Sequence, residues 1–151
     1  MGAMTKEVIA VIRGLHFSME DGADKIETIT AAEYFCRGGC HYLVYEDLDE
    51  GSGKTTRNLL KCRPQAAELT RKGVIDVHMV FEEHKKNVAR YTTPFGSVMI
   101  GIDTTRVDID EQQEKIRFSI DYVLEINYEQ FANCSISVEI SEKNAGIDLA
   151  G

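Results

Sequence analysis

The sequence predicts an all-β protein, a single antiparallel meander closed into a β-barrel of about 8–10 strands. Three observations point there. Short segments of alternating apolar and polar residues follow one another along the chain. Gly, Asp, Asn or charged residues separate them, and no segment shows a sustained helical period. No linker, repeat or low-complexity stretch divides the 151 residues, so they read as one domain, with 1–5 and 143–151 expected to be flexible ends. Closing such a run of hairpins into a barrel removes the sheet edges it would otherwise leave exposed.

The first strand is expected near 6–17, where Val8-Ile9-Ala10-Val11-Ile12 ends at Arg13. An apolar run of that size is too short for the hydrophobic region of an export signal, which takes ~7–15 residues. Further strands are expected near 24–36, 40–48, 54–63, 66–72, 74–82, 87–93 and 96–109. The breaks are Asp21-Gly22, Gly38-Gly39, Gly51-Ser52-Gly53, Pro64-Gln65, Gly73, Glu82 through Lys86, and Pro94-Phe95-Gly96. Glu111-Gln112-Gln113-Glu114 offers at most one helical turn. The clearest alternation comes next. Ile116, Phe118, Ile120, Tyr122, Leu124 and Ile126 recur at period two, and Cys134, Ile136, Val138 and Ile140 repeat the pattern after a hairpin at Asn127-Tyr128-Glu129-Gln130. Such strands bury one face and wet the other.

Composition narrows the function. With 17 Lys and Arg against 25 Asp and Glu, the net charge of −8 argues against nucleic acid and anionic membranes, which are held by a surplus of basic residues. The average conceals a gradient: Lys54 to Arg90 holds nine basic and four acidic residues, a local +5 against −13 elsewhere. A small anion could therefore still be held by the middle strands, where Arg supplies a two-pronged donor. Arg57, Lys61 and Arg63 share one strand face, opposite Leu60 and Cys62, and are read as outward. Arg71 shares parity with Leu69 and is read as inward, where it would need a carboxylate or an anion.

Several apparent motifs lack the context their chemistry requires. Cys36-Arg37-Gly38-Gly39-Cys40 reads as a tight turn with a thiol on each side, since a structural zinc site would pair two such knuckles. Glu50-Gly51-Ser52-Gly53-Lys54-Thr55 has Leu48 where a phosphate-binding loop needs its first Gly, and strand-like sequence follows it. His16, His41, His78 and His84 lack metal-ligand spacing and are read as exposed or capping. Neither a metal nor a cofactor is expected.

A polar-aromatic set stands apart from these. Tyr42, Tyr45 and Glu46 fall in one strand, and Arg90-Tyr91-Thr92-Thr93-Pro94-Phe95-Gly96 forms a second cluster. The combination Tyr42-x-x-Tyr45-Glu46, Lys61, Leu69-Thr70-Arg71-x-Gly73 and Tyr91-x-Thr93-Pro94-x-Gly96 resembles the YwiB-like bacterial family. That resemblance implies a calycin-like (lipocalin-like) barrel and a cytoplasmic bacterial origin, and it implies no reaction. A barrel near eight strands is filled by side chains or holds one small ligand. The expected function is thus non-enzymatic binding of a small ligand, anionic ones included, in or at the mouth of the barrel. The expected contacts are Tyr42, Tyr45, Glu46, Lys61, Arg71, Tyr91 and Thr93. The alternatives are an enzyme on a small charged or phosphorylated substrate, favoured if Arg57, Lys61, Arg63 and Arg71 all point inward, and a homodimeric or protein-interaction module.

Overall fold

The computed structural model describes residues 6–14, 17–18, 22–23, 27–48, 51, 53–73, 76–93 and 96–142. Both ends expected to be flexible, His16, Asp21 and the Pro94-Phe95 turn lie outside the described residues. The strands are β1 (Lys6–Arg13), β2 (Phe17–Ser18), β3 (Gly22–Ala23), β4 (Glu27–Arg37), β5 (Cys40–Leu48) and β6 (Thr55–Arg63), then β7 (Ala66–Lys72), β8 (Val77–Glu82), β9 (Lys85–Thr93), β10 (Gly96–Glu111), β11 (Lys115–Ile126) and β12 (Glu129–Glu142). No helix occurs among the described residues, and Gln112 bridges to Lys115 by a backbone hydrogen bond instead of opening one.

Ten strands form one antiparallel sheet in the order β8-β7-β6-β5-β4-β1-β12-β11-β10-β9, curled into a nearly closed barrel; β2 and β3 make a separate two-stranded pair. Chain neighbours are sheet neighbours throughout the main sheet except at β8 and β9. The barrel closes instead through the two ends of the chain, β1 pairing with β12 from Val8↔Glu142 to Arg13↔Ser137. The meander is as expected. Its seam lies in the middle of the sequence rather than between the termini.

The hairpins follow from local chemistry. Gly38 and Gly39 both take positive φ (58° and 79°) between the paired Arg37 and Cys40, the conformation of a two-residue turn whose twist suits its strands. Asn127 and Tyr128 do the same without glycine, at 49° and 71°. Cys36 and Cys40 differ in parity and leave opposite faces of the sheet, so the turn cannot act as a knuckle.

The predicted alternation becomes the core. Phe118, Ile120, Tyr122 and Leu124 of β11 and Cys134, Ile136, Val138 and Ile140 of β12 are buried, as are Val8, Ala10 and Ile12 of β1. From the other half come Leu43, Leu60, Cys62, Leu69 and Phe81. Aromatic rings join the halves: Phe81 meets Tyr122 edge-on with centroids 5.1 Å apart. Large side chains with almost no exposure thus fill the interior, each core residue adding about 1.5–3 kcal/mol for a fully buried aliphatic or Phe side chain.

Candidate functional site

Strand parity separates the expected site residues. On β5, His41, Leu43 and Tyr45 are buried while Tyr42 is half-buried and Glu46 exposed. Tyr42 therefore faces out, its ring stacked on Phe35 (centroids 4.5 Å apart, 7° between planes) with Lys61 Nζ 5.9 Å from its centre. Lys61 stands opposite Glu68 on the same outer face, and Arg57 and Arg63 are exposed on β6. Arg71 alone of the four cations points inward. That arrangement removes the condition favouring an enzyme on charged substrates. Tyr91 is half-buried on β9, opposite Val98, and the side chain of Thr93 lies outside the described residues.

Two of the seven expected residues do converge. Tyr45, Asn58 and Arg71 lie directly opposite one another across β5, β6 and β7, so their side chains form an inward row. Asp47, two residues along from Tyr45, completes the group. Its Oδ2 accepts hydrogen bonds from Asn58 Nδ2 at 3.0 Å and from Arg71 Nη2 at 3.3 Å. Asn58 Nδ2 also faces the carbonyl oxygens of Thr56 (3.2 Å) and Tyr45 (3.5 Å). All three neighbours are acceptors, which fixes the orientation of the amide.

This leaves Asn58 Oδ1 and the Tyr45 hydroxyl buried without a hydrogen-bond partner. Asn58 is fully buried and Tyr45 nearly so. An orphaned buried polar atom costs about 1–3 kcal/mol, and the cross-strand partners Tyr45 and Asn58 each carry one. Burial, and then the charge of Asp47, push the Tyr45 hydroxyl above the usual phenol range, with Arg71 opposing. Tyr45 is thus a neutral hydroxyl at any ordinary pH.

The wall opens at the same residue. The β4–β5 ladder runs from Arg37↔Cys40 to Glu33↔Val44 and stops there. Beyond it β4 continues against β1 to Glu27, and β5 continues against β6 to Leu48. The two strands part, and a cleft of about 330 Å³ lies between them, lined by Glu7, Ala31, Glu33, Tyr45, Glu46 and Arg57 among others. Glu46, one of the expected ligand contacts, is exposed and lines this cleft, across the ladder from Arg57.

Sequence reasoning missed Asp47 and Asn58. The available signal was parity: Asn58 sits two positions before the inward Leu60, and a polar side chain on a core face marks a network or a site.

The model of a family described as "Domain of unknown function (DUF1934)" matches residues 11–138. The chain belongs to that family. It is 28% identical over 113 residues to the uncharacterized β-barrel protein YwiB of Bacillus subtilis, covering 74% of this chain and 78% of YwiB. The crystal structure of the Bacillus subtilis ywiB protein superposes with a TM-score of 0.66 at 20% identity, over 93% of this chain and 91% of that one. The likeness shows that the two chains share a β-barrel fold.

Proposed function

We propose that this protein is a cytoplasmic, non-enzymatic binder of a small polar ligand, held at the mouth of the barrel where β4 and β5 part. One observation carries the reading: the cross-strand partners Tyr45 and Asn58, beside the Arg71–Asp47 pair, each keep a buried polar atom without a partner, Oη and Oδ1, on the inner face of the wall, and Tyr45 also borders the cleft, which is otherwise lined mostly by outward-facing residues such as Glu33, Glu46 and Arg57. The hydroxyl offers a donor and the amide oxygen an acceptor, so a ligand carrying both satisfies them together. Arg71 is already compensated by Asp47. A bare anion would have to displace that carboxylate, so a neutral ligand with hydroxyl or amide groups fits better than phosphate.

The cleft, near the low end of the ~300–1,000 Å³ typical of small-molecule sites, limits the ligand to a few heavy atoms beyond its polar head. The test is native mass spectrometry of the protein from its own cells, followed by amide-resolved NMR titration with small polyols, amides and hydroxy acids. Binding should shift the amides of residues 45–47, 57–58 and 71, and Asn58→Ala should abolish it. A protein that stays empty, and whose spectrum no such compound perturbs, would overturn the reading.

A further inference from the structure

Where the β4–β5 ladder is intact, the inner face satisfies its own polar groups. Tyr34 Oη lies 2.7 Å from Nδ1 of His41, and His41 Nε2 lies 3.5 Å from Glu111 Oε1. His41, expected from sequence to be exposed or capping, is instead 5% exposed, because parity puts it on the core face with Leu43 and Tyr45. Where the ladder ends, the inner face changes character. Thr28, Thr30 and Ala32 stand opposite the buried Ile12, Ala10 and Val8 of β1, so they face inward. Across the split Tyr45 and Asp47 face inward from β5. Thr28 and Thr30 are only half-buried, and Tyr45 Oη keeps no partner.

The backbone is unsatisfied at the same place. From Glu27 to Ala32, β4 pairs with β1 alone, and from Tyr45 to Leu48, β5 pairs with β6 alone. Every second residue of an antiparallel strand turns its N–H and C=O to one side, so both stretches aim backbone donors and acceptors at the split. Among the described residues no backbone hydrogen bond outside the ladders reaches them, and only the Ala31 carbonyl takes a side chain, the Thr30 hydroxyl at 3.1 Å. The outer rims carry a second signal. Ile29 and Leu48 are large apolar residues, 65% and 63% exposed. Extended in its own register, the interrupted ladder would set these two directly opposite each other. Beside them three carboxylates, Glu7, Glu33 and Glu46, line the cleft against the single guanidinium of Arg57.

We propose that an extended basic peptide segment docks in this split as an added strand, pairing its backbone with the free edges of β4 and β5. The proposal rests on the cleft being the binding site and names the class of amide ligand it takes. Because β4 and β5 run antiparallel, the added strand is antiparallel to one and parallel to the other. Its side chains alternate between the two faces. Those turned outward meet Ile29 and Leu48 toward one end and Glu33 and Glu46 toward the other, which suits an apolar residue two positions from a Lys or Arg. Carboxylates outnumber the one cation of the lining, so a basic segment is drawn in and an acidic one repelled. Those turned inward meet Thr30 and Tyr45, where a Ser, Thr or Asn side chain partners Tyr45 Oη. Unpaired stretches of residues 27–32 and 45–48 set the length at about four to six residues, each spanning about 3.3 Å.

The experiment follows amide hydrogen exchange by NMR in the full chain, alone and with blocked hexapeptides. The first peptide is Thr-Lys-Thr-Leu-Thr-Lys, the second has Glu for Lys, and the third is the first N-methylated at alternate amides, which keeps every side chain and removes donors to one edge. The Lys peptide should slow alternate amides of residues 27–32 and 45–48 by at least about tenfold, and the Glu and N-methyl peptides should bind at least about tenfold more weakly. Ile29→Ser with Leu48→Ser, both changes at exposed positions, should weaken the Lys peptide about tenfold through lost apolar contact. Three results would overturn the proposal. Amides already protected in the free protein would mean that the chain closes the split itself, and protection growing with protein concentration would make the occupant a second copy. Indifference to N-methylation would show that charge alone holds the peptide. A small amide or polyol that shifts residues 45–47 and 57–58, while no peptide protects 27–32, strikes the added strand and leaves the small-ligand reading standing. A peptide that protects both edges even in Asn58→Ala, with no small compound bound, does the reverse.

Discussion

The Glu83 carboxylate accepts the backbone N–H of Val107 at 2.9 Å, and this contact spans the seam that the β-ladders leave open. Glu83 sits in the turn between β8 and β9, which are sheet edges. Val107 follows a bulge in β10, where the register with β11 shifts between Thr104 and Arg106. A bulge leaves one residue out of the ladder, and the side chain supplies what the ladder does not. Backbone bonds from Glu83 N to Gln65 O (3.0 Å) and from His84 N to Thr104 O (2.8 Å) fasten the same turn to both flanks. Glu83→Ala should strip Val107, which is 4% exposed, of its acceptor and cost about 1–3 kcal/mol. Urea unfolding measures it. Glu82→Ala, which breaks only a pair with the exposed Lys85, should cost under about 1 kcal/mol, and equal losses for the two variants would refute the assignment.

The Asp47–Arg71–Asn58 group should behave as a unit. Asp47→Leu leaves Arg71 partly buried without its carboxylate and removes the best acceptor of Asn58. The expected loss is about 1–3 kcal/mol, as for hydrogen bonds to charged groups. Adding Arg71→Met should restore part of that loss, because replacing both partners of a buried pair costs less than stranding one. Thermal unfolding of the two single variants and the double variant closes the cycle. Strict additivity would show that the two side chains are uncoupled.

Residue patterning made some of this visible and hid the rest for identifiable reasons. The β11 and β12 alternation placed Phe118, Ile120, Tyr122, Leu124, Cys134, Ile136, Val138 and Ile140 on the correct face, since parity is a local property, and left out only Ala132 of the inward residues between them. The same rule bears on the site. Tyr42 and Tyr45 are three apart and must face opposite ways in an unbulged strand, so they could not line one cavity. Lys61 likewise alternates with the buried Leu60 and Cys62. The seam was not legible, because pairing β1 with β12 depends on the whole barrel rather than on any segment. The cleft was hidden for the same reason, as nothing between Glu27 and Leu48 marks where the β4–β5 ladder stops. His41 was misread because a histidine between Cys40 and Tyr42 is locally indistinguishable from a surface residue until the strand's face is known.

Gly73 should tolerate no side chain. A Cβ there would lie 2.6 Å from the carbonyl oxygen of Thr55 and 2.7 Å from Cα of Thr56. Both are backbone atoms, so neither can swing aside. Its φ lies outside the left-handed region, and close approach to β6, rather than conformation, is what demands glycine. Gly73→Ala should therefore cost about 1–3 kcal/mol through overpacking, whereas Gly38→Ala meets no atom within 4 Å and pays only for its positive φ. Chemical denaturation separates them. A Gly73→Ala protein as stable as the parent would mean that β7 and β6 can part at this point.

Acid should destabilise the fold in two stages. Burial holds His41 below its ordinary value of 6.5, with Glu111 opposing. The folded state therefore prefers the neutral ring, and stability that is complete above pH 6.5 is lost as pH falls toward the folded value. Glu139 is held below its ordinary 4.5 first by Lys115, 2.7 Å away, and then by Arg117 at 3.3 Å. Its contribution is complete above pH 4.5 and is lost below it. At the other extreme burial raises the Cys62 thiol from 9.0 to about 12, so alkali removes stability from about pH 9 upward. Unfolding midpoints between pH 3 and pH 11 should trace a plateau with these shoulders. His41→Gln should flatten the shoulder beginning at pH 6.5 and leave the one below pH 4.5, and Glu139→Gln should do the reverse. Retention of the upper shoulder in His41→Gln would place its origin in some other group.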